Sequence, residues 1–582
     1  MNSRKRNLDK MGESSWRIKV LSSGVFLFLL LVFFRLCQIQ IFQHDFYTAL
    51  AQDQHELFEQ IVPDRGSIYI KDDSAEGVYP VAVNMEMFLV YISPSHIQES
   101  ESGIIAEFLS EQLNIEVSSI YEKMNKADDP YEVISHKVSK DVASEIEKMD
   151  FEGVGIVPES VRYYPGGSLA SNVIGFVGYS GDEKKGQYGI ERYCNEELEG
   201  EAGTLELEKD TFGNWISFGT KTLKSAEDGE NIILTIDYTV QYLAEQKLKE
   251  AVENYEADGG NVIVMDPKTG EILAMAEYPN YDLNKYYEVE DMGVFLNSSI
   301  SDLYEPGSVQ KPITMAIGID TGKVSPSTTY FDTGLVQIDG WNIQNSDGAS
   351  NGQQTMVQVL EKSLNTGTIF VEQQVGKKDF YAYLQDFGID SKTGIELNGE
   401  TAGNLSNLKV NSDINYATAS FGQGISLTPL EMLTAISSFA NDGKMMKPYL
   451  IDGYMNADGY IRETESVVAK EVVSSRTANL VAAMMVSVVK NGHATAAGVK
   501  GYKFAGKTGT AQIPDDEGGY DNDNTIHTFV GFGPMPNPRF SILVKLDSPK
   551  NGVFAANTTA GVFSSMSEEL VKYYHIAPTE EE

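Results

Sequence analysis

The eight residues Glu305-Pro-Gly-Ser-Val-Gln-Lys-Pro312 constrain this 582-residue chain more than any other stretch. Proline lacks an N–H and is tolerated only in the first turn of a helix, so Pro312 puts a helix start at or near Ser308. Ser308 and Lys311 stand three positions apart, a spacing that places hydroxyl and amine on one helical face. They are a candidate nucleophile and base. At a helix start the free N–H groups and the macrodipole favour developing negative charge, as the oxyanion of an acyl transfer requires.

A Ser-x-x-Lys spacing by itself is an ordinary solvated turn, and Ser406-Asn-Leu-Lys409 has it too. Company separates the two. After Ser308 come Ser363-Leu-Asn365, the only Ser-x-Asn in the chain, and then Lys507-Thr-Gly-Thr510; no Ser-x-Asn follows Ser406. Lys-Thr-Gly also occurs at 268–270, inside the turn-forming run Asp266 to Gly270, and at 392–394 after Phe387-Gly388, and both of these read as structural turns. Around Lys507 small residues lie on an extended run, Phe504-Ala-Gly before and Thr510-Ala-Gln after, which lets a substrate backbone pair alongside.

The chain is long enough for two or more domains. Its formal charge of −39 excludes nucleic acid as a partner. Cys37 and Cys194 make no disulfide framework and read as free thiols, and seven histidines without an H-E-x-x-H or a Cys/His cluster make neither a metal nor a cofactor site. Residues 20–42 carry no charge but for Arg35, and 23 residues span a bilayer at about 1.5 Å each. No small-x-small cleavage site follows, so a membrane anchor is expected rather than the alternative, a removed signal peptide. Arg4, Lys5, Arg6, Lys10, Arg17 and Lys19 precede it against Asp9 and Glu13, which keeps residues 1–19 cytoplasmic and the rest outside.

Residues 43–230 alternate short β-like runs with acidic helical stretches and hold no nucleophile constellation; they read as an interaction module. Within it Pro63 to Tyr69, Arg162 to Ala170 and Gly189 to Glu191 read as turns and strand starts. A second domain begins at 231 and runs to 577, with a tail at 578–582. In it, strands precede the nucleophile, helices follow, and strands return at Lys507, an α+β pattern. Thr428-Pro-Leu-Glu431 is a capping box at the head of an apolar helix, and Asp515 to Asn524 reads as a polar loop.

The order of the three motifs resembles the penicillin-binding proteins and serine β-lactamases. Taken with Arg35 to Gln40, Pro63 to Ile68, Tyr164-Pro165, Gly189 to Glu191, Leu234 to Asp237 and Gly260 to Pro279, the chain resembles a class B penicillin-binding protein, most like the division-specific branch. Val309-Gln310 stands where Thr-Phe is usual, and Glu431 where Gln is common. The resemblance implies an anchor helix, an elongated β-rich pedestal of dimerisation type, and a transpeptidase domain with an antiparallel sheet and helices. About 70 residues follow the third motif, so no penicillin-sensing tail domains are expected.

It further implies that Ser308 attacks a D-Ala-D-Ala stem peptide, Lys311 is its base, Ser363 relays a proton, and Asn365 orients Lys311 and the substrate amide. Lys507 and Thr508 would hold the substrate carboxylate beside Gly509, with the N–H groups of Ser308 and Thr510 as oxyanion hole. Implied partners are lipid-linked glycan strands, β-lactams, a membrane glycan polymerase of the SEDS family and divisome-type membrane proteins. A D,D-carboxypeptidase or β-lactamase-type hydrolase shares the motifs, and an idle scaffold of a wall-building complex would be expected to have lost Ser308 or Lys507.

Overall fold

The computed structural model describes residues 20–33, 56–61, 63–72, 77–126, 131–180, 183–208, 221–456, 458–514, 519–552 and 554–578. They fall into two compact units, one of residues up to Pro63 with Glu201–Glu227, the other of Asp64–Gly200 with Asp228–Glu582. In the first, residues 20–33 are helical and exposed, and the strands Glu56–Ile61, Gly203–Glu208 and Lys221–Lys224 form an antiparallel sheet. Residues 34–42 of the expected anchor lie outside the described residues. Among those described, no helix is long and apolar enough to cross a membrane.

The second unit contains a seven-stranded sheet that does not stop at residue 231. Asn231–Asp237 pairs in parallel with Ile68–Asp72, Ile232 opposite Ile68, and on its other side with Ile451–Met455. Ile68–Asp72 continues into Gly77–Ile92, which carries both Glu132–Val138 and Val154–Tyr163. Three segments that read as separate turns meet here. Arg65 Nε and Arg162 Nε donate to the two oxygens of the buried Glu191 carboxylate at 2.8 and 2.6 Å, and Arg162 also reaches Asn84 Oδ1 at 3.1 Å. Gly66 allows the approach, because a Cβ there would sit 2.0 Å from the Glu230 carbonyl oxygen.

The C-terminal part of this unit is built on an antiparallel sheet ordered Ile272–Tyr278, Gly259–Met265, Phe540–Asp547, Tyr520–Gly533, Ala505–Pro514. Consecutive residues along Gly259–Met265 and Phe540–Asp547 are buried, so both faces are covered. The helices Tyr238–Tyr255 and Thr559–Tyr573 pack together on the sheet, and Pro429–Ser437 packs against its inner strands. The capping box is complete: Thr428 Oγ1 accepts the Glu431 N–H and Glu431 Oε2 accepts the Thr428 N–H. Helices with one long insertion of hairpins fill residues 298–440. The expected α+β class holds. The polar loop is shorter than it reads, since the strand Tyr520–Gly533 already begins opposite Pro514.

Candidate active site

Gly307–Gln310 is a single 3-10 turn that runs straight into the α-helix Lys311–Asp320, with Pro312 in its first turn. Every residue from Lys311 to Gly318 is buried. Gly307 has φ +55° and donates its N–H to the Gly422 carbonyl, and a Cβ on Gly422 would meet the Gly307 oxygen at 2.2 Å. The two glycines let the nucleophile turn seat on the loop behind it. The third motif closes the other side. Ala505–Pro514 is an edge strand, and a Cβ on Gly509 would lie 2.8 Å from the Pro306 carbonyl oxygen and 3.0 Å from Val309. The small residue there serves this contact with the nucleophile turn, whereas the unpaired strand edge is what remains for a substrate backbone.

Ser363 lies between two buried lysines. Lys311 Nζ donates to the Ser363 carbonyl at 2.5 Å and to its Oγ at 3.1 Å; Lys507 Nζ donates to the same Oγ at 3.0 Å and to the Thr508 carbonyl at 3.0 Å. Ser363 adopts φ +56°, a left-handed conformation costly for a residue with a Cβ, and this presents carbonyl and hydroxyl to one ammonium. Among the described residues no carboxylate lies within salt-bridge distance of either lysine. Burial and then the positive charge of Lys507 hold Lys311 well below its ordinary value, and burial pushes Lys507 down to about 7. Both effects favour the unprotonated amine at Lys311 over the ammonium ion.

Asn365 does not touch Lys311. It opens the helix Asn365–Val375 and its Nδ2 donates to the Gln344 carbonyl at 2.8 Å, while Lys311 is held by Ser363 instead. Ser308 Oγ makes no hydrogen bond to Lys311 among the described residues; it is partly exposed where two cavities meet. One, of about 510 Å³, is lined by Asn365, Trp341, Thr510 and Tyr520 among others, and the second, of about 370 Å³, by Ser363, Thr508, Thr510 and His493. Thr510 Oγ1 accepts the Ala555 N–H at 3.1 Å. Ser406 and Lys409 share a short 3-10 turn away from these cavities, and the other two Lys-Thr-Gly runs are loops, Thr393 being tied to Glu400 and Lys268 to Asp266.

Three lining residues gave no sequence signal. Trp341 stands exposed on the hairpin Leu335–Ile338/Trp341–Gln344, and Tyr520 reaches back to donate to Glu305 at 3.1 Å. His493 pairs through Nε2 with the Lys362 carbonyl, and burial, with Lys507 second, lowers its pKa. None of the three lies within a motif, and each is brought to the site by the fold: Trp341 by a hairpin, Tyr520 by the strand paired with the third motif, and His493 by the turn after the helix Ser475–Asn491.

The penicillin-binding protein transpeptidase domain model matches residues 260–566, and the penicillin-binding protein dimerisation domain model matches 60–234. The chain belongs to the class B penicillin-binding proteins. It is 32% identical to the stage V sporulation protein D of Bacillus subtilis over 93% of this chain and 83% of that one. It is 30% identical to the probable peptidoglycan D,D-transpeptidase PenA of Neisseria meningitidis over 84% and 82%. Penicillin-binding protein 2X of Streptococcus thermophilus superposes with a TM-score of 0.76 at 26% identity, covering 89% of this chain and 80% of that one. The penicillin-binding protein 3 of Mycobacterium tuberculosis, solved with aztreonam, gives 0.68 at 26% identity over 90% and 98%.

Proposed function

We propose that this penicillin-binding protein is a serine D,D-transpeptidase that cross-links peptidoglycan stem peptides through an acyl-enzyme on Ser308, and that β-lactams acylate the same serine. The observation that carries the reading is the pair of buried lysines, with no carboxylate at either among the described residues, meeting at Ser363 on a cavity shared with Ser308. Neutral Lys311 accepts the Ser308 proton as Oγ attacks the penultimate D-Ala carbonyl. The oxyanion falls to the N–H groups of Ser308 and Thr510, at the helix start and on the edge strand. Collapse breaks the C–N bond, and the proton passes from Lys311 through Ser363 Oγ to the departing D-Ala amine. A stem-peptide amine then attacks the acyl-enzyme, forms the cross-link and returns Ser308 as the leaving group. Lys507 and Thr508 hold the substrate carboxylate.

A hydrolase would use water in that second step; the match of both domain models favours the synthetic enzyme, and the retained Ser308, Lys311 and Lys507 speak against an idle scaffold. Residues 20–42 anchor the protein in the cell membrane with the bulk outside, and a SEDS-family polymerase and divisome proteins supply and position the strands. Relatives named FtsI homolog support septal synthesis, and the sporulation name of the Bacillus relative favours a second reading, spore-wall synthesis. Fluorescent penicillin on membranes should label a band at 64.1 kDa that vanishes in Ser308→Ala. An adduct mapped by mass spectrometry to another residue overturns the mechanism. Depletion should give filaments with unsplit septa; normal division with defective spores assigns the second role, and failure to co-purify with any polymerase removes the partner.

A further inference from the structure

One buried carboxylate beside the site takes no part in this chemistry. Asp332 ends the strand Thr329–Asp332, and five donors converge on it. Oδ1 accepts from the Gly334 N–H at 2.9 Å and Thr366 Oγ1 at 2.8 Å; Oδ2 accepts from the Asn351 N–H at 3.0 Å and Asn351 Nδ2 at 2.9 Å; Asn345 Nδ2 reaches both oxygens, at 3.1 and 3.0 Å. Burial by itself would raise the carboxyl, but the hydrogen bonds from Gly334, Asn351 and Thr366 outweigh it and hold the group below the usual carboxylate range.

The donors come from both feet of the hairpin that carries Trp341, from Asn351 just ahead of the strand Gly352–Thr355, and from the first turn of the helix that begins at Asn365. Asn345 links them a second time, since its Oδ1 accepts the Thr366 N–H at 3.2 Å. The residue before Asn345 is Gln344, whose carbonyl holds Asn365 Nδ2 at 2.8 Å, and the residue after it, Ser346, lines both cavities at Ser308. A carboxylate with its donors satisfied is rigid, so Asn345 and the two residues flanking it have one place to be.

We propose that Asp332 is a positioning residue for acyl transfer, which through Asn345 and the Gln344 carbonyl fixes the Asn365 amide at the cavity that holds Ser308. This role presupposes acylation at Ser308. It also differs from plain support of the fold, because its effect on rate must run through Asn365.

The test is a double-mutant cycle on the full-length protein in detergent, reading the second-order rate of acylation by fluorescent penicillin. Asp332→Asn keeps the size but turns an NH₂ group toward donors, and a misplaced amide should slow acylation about 10- to 100-fold. In an Asn365→Ala background the same substitution should cost less than about threefold, because no amide is left to aim. Equal losses in both backgrounds overturn the proposal. Asn345→Ser removes the relay while leaving four of the five donors, and it must show the same dependence on Asn365 even where Asp332→Asn does not fold; a full loss in both backgrounds overturns it equally. Failure of the Ser308 reading is seen separately, as wild type that takes no label or Ser308→Ala that keeps it.

Discussion

At Glu191 two part-buried guanidinium groups, from Arg65 and Arg162, flank one buried carboxylate; at Ser363 two buried lysines, Lys311 and Lys507, donate to one hydroxyl. Desolvation works against charge in both places. At Glu191 the opposite charge and the remaining hydrogen bonds compensate it, so the ions persist and join three distant segments. At Ser363 the positive charge of Lys507 adds to the effect of burial, and both shift Lys311 toward losing its proton. On the proposed mechanism the first cluster serves stability and the second the chemistry, so disturbing one should leave the other's function in place.

The largest effect should come from Lys311→Ala, which removes the base and not a large apolar group: acylation should fall on the order of 10³-fold or more. Stopped-flow or gel kinetics with a penicillin read it, and near-normal rates would mean that another group activates Ser308. Glu191→Gln should do the converse, lowering stability by about 3–5 kcal/mol by leaving two guanidinium groups without a carboxylate, with acylation of the folded fraction unchanged. Urea midpoints set against labelling rates separate the two; a slowed acylation at unchanged stability would break the contrast.

The pH dependence sharpens it. Acylation should fail as pH drops through the Lys311 pKa, which lies well below 10.5, and Lys507→Met, by removing the neighbouring positive charge, should move that limb to higher pH. Because Lys507 titrates at about 7 when buried and at 10.5 when unfolded, the unfolded chain binds the extra proton between those values. Stability should accordingly rise with pH across that window and be lost as pH falls toward 7, a slope that Lys507→Met reduces. The smallest effect is Tyr520→Phe, which deletes one hydrogen bond to the half-buried Glu305 and should slow acylation by a few-fold, about 1 kcal/mol. An unchanged rate would leave Tyr520 as wall only.

Local chemistry was legible in the residues themselves. Pro312 after Ser308 announced a helix start, Thr428 to Glu431 a capping box, and Asp266 to Gly270 a turn, because each depends on atoms within four positions. The three motifs were legible too, as spacing and order. Arg65, Arg162 and Glu191 read as turn residues, since their partners lie between 29 and 126 positions away and an arginine's spacing says nothing about a distant carboxylate. The resemblance implied that Asn365 orients Lys311 and the substrate amide; Lys311 instead donates to the Ser363 carbonyl and hydroxyl, and Asn365 Nδ2 donates to the Gln344 carbonyl.

The residue order alone determined the family and the α+β class and marked the three motifs as candidates, for these follow from local stereochemistry and from the spacing of residue types. Tertiary structure decided which charges survive. Whether a buried lysine keeps its proton depends on what is packed within a few ångströms of it: a hydroxyl and a second lysine at Ser363, where at Glu191 the part-buried arginines have a carboxylate. That neighbourhood is assembled from segments that only the folded chain brings together.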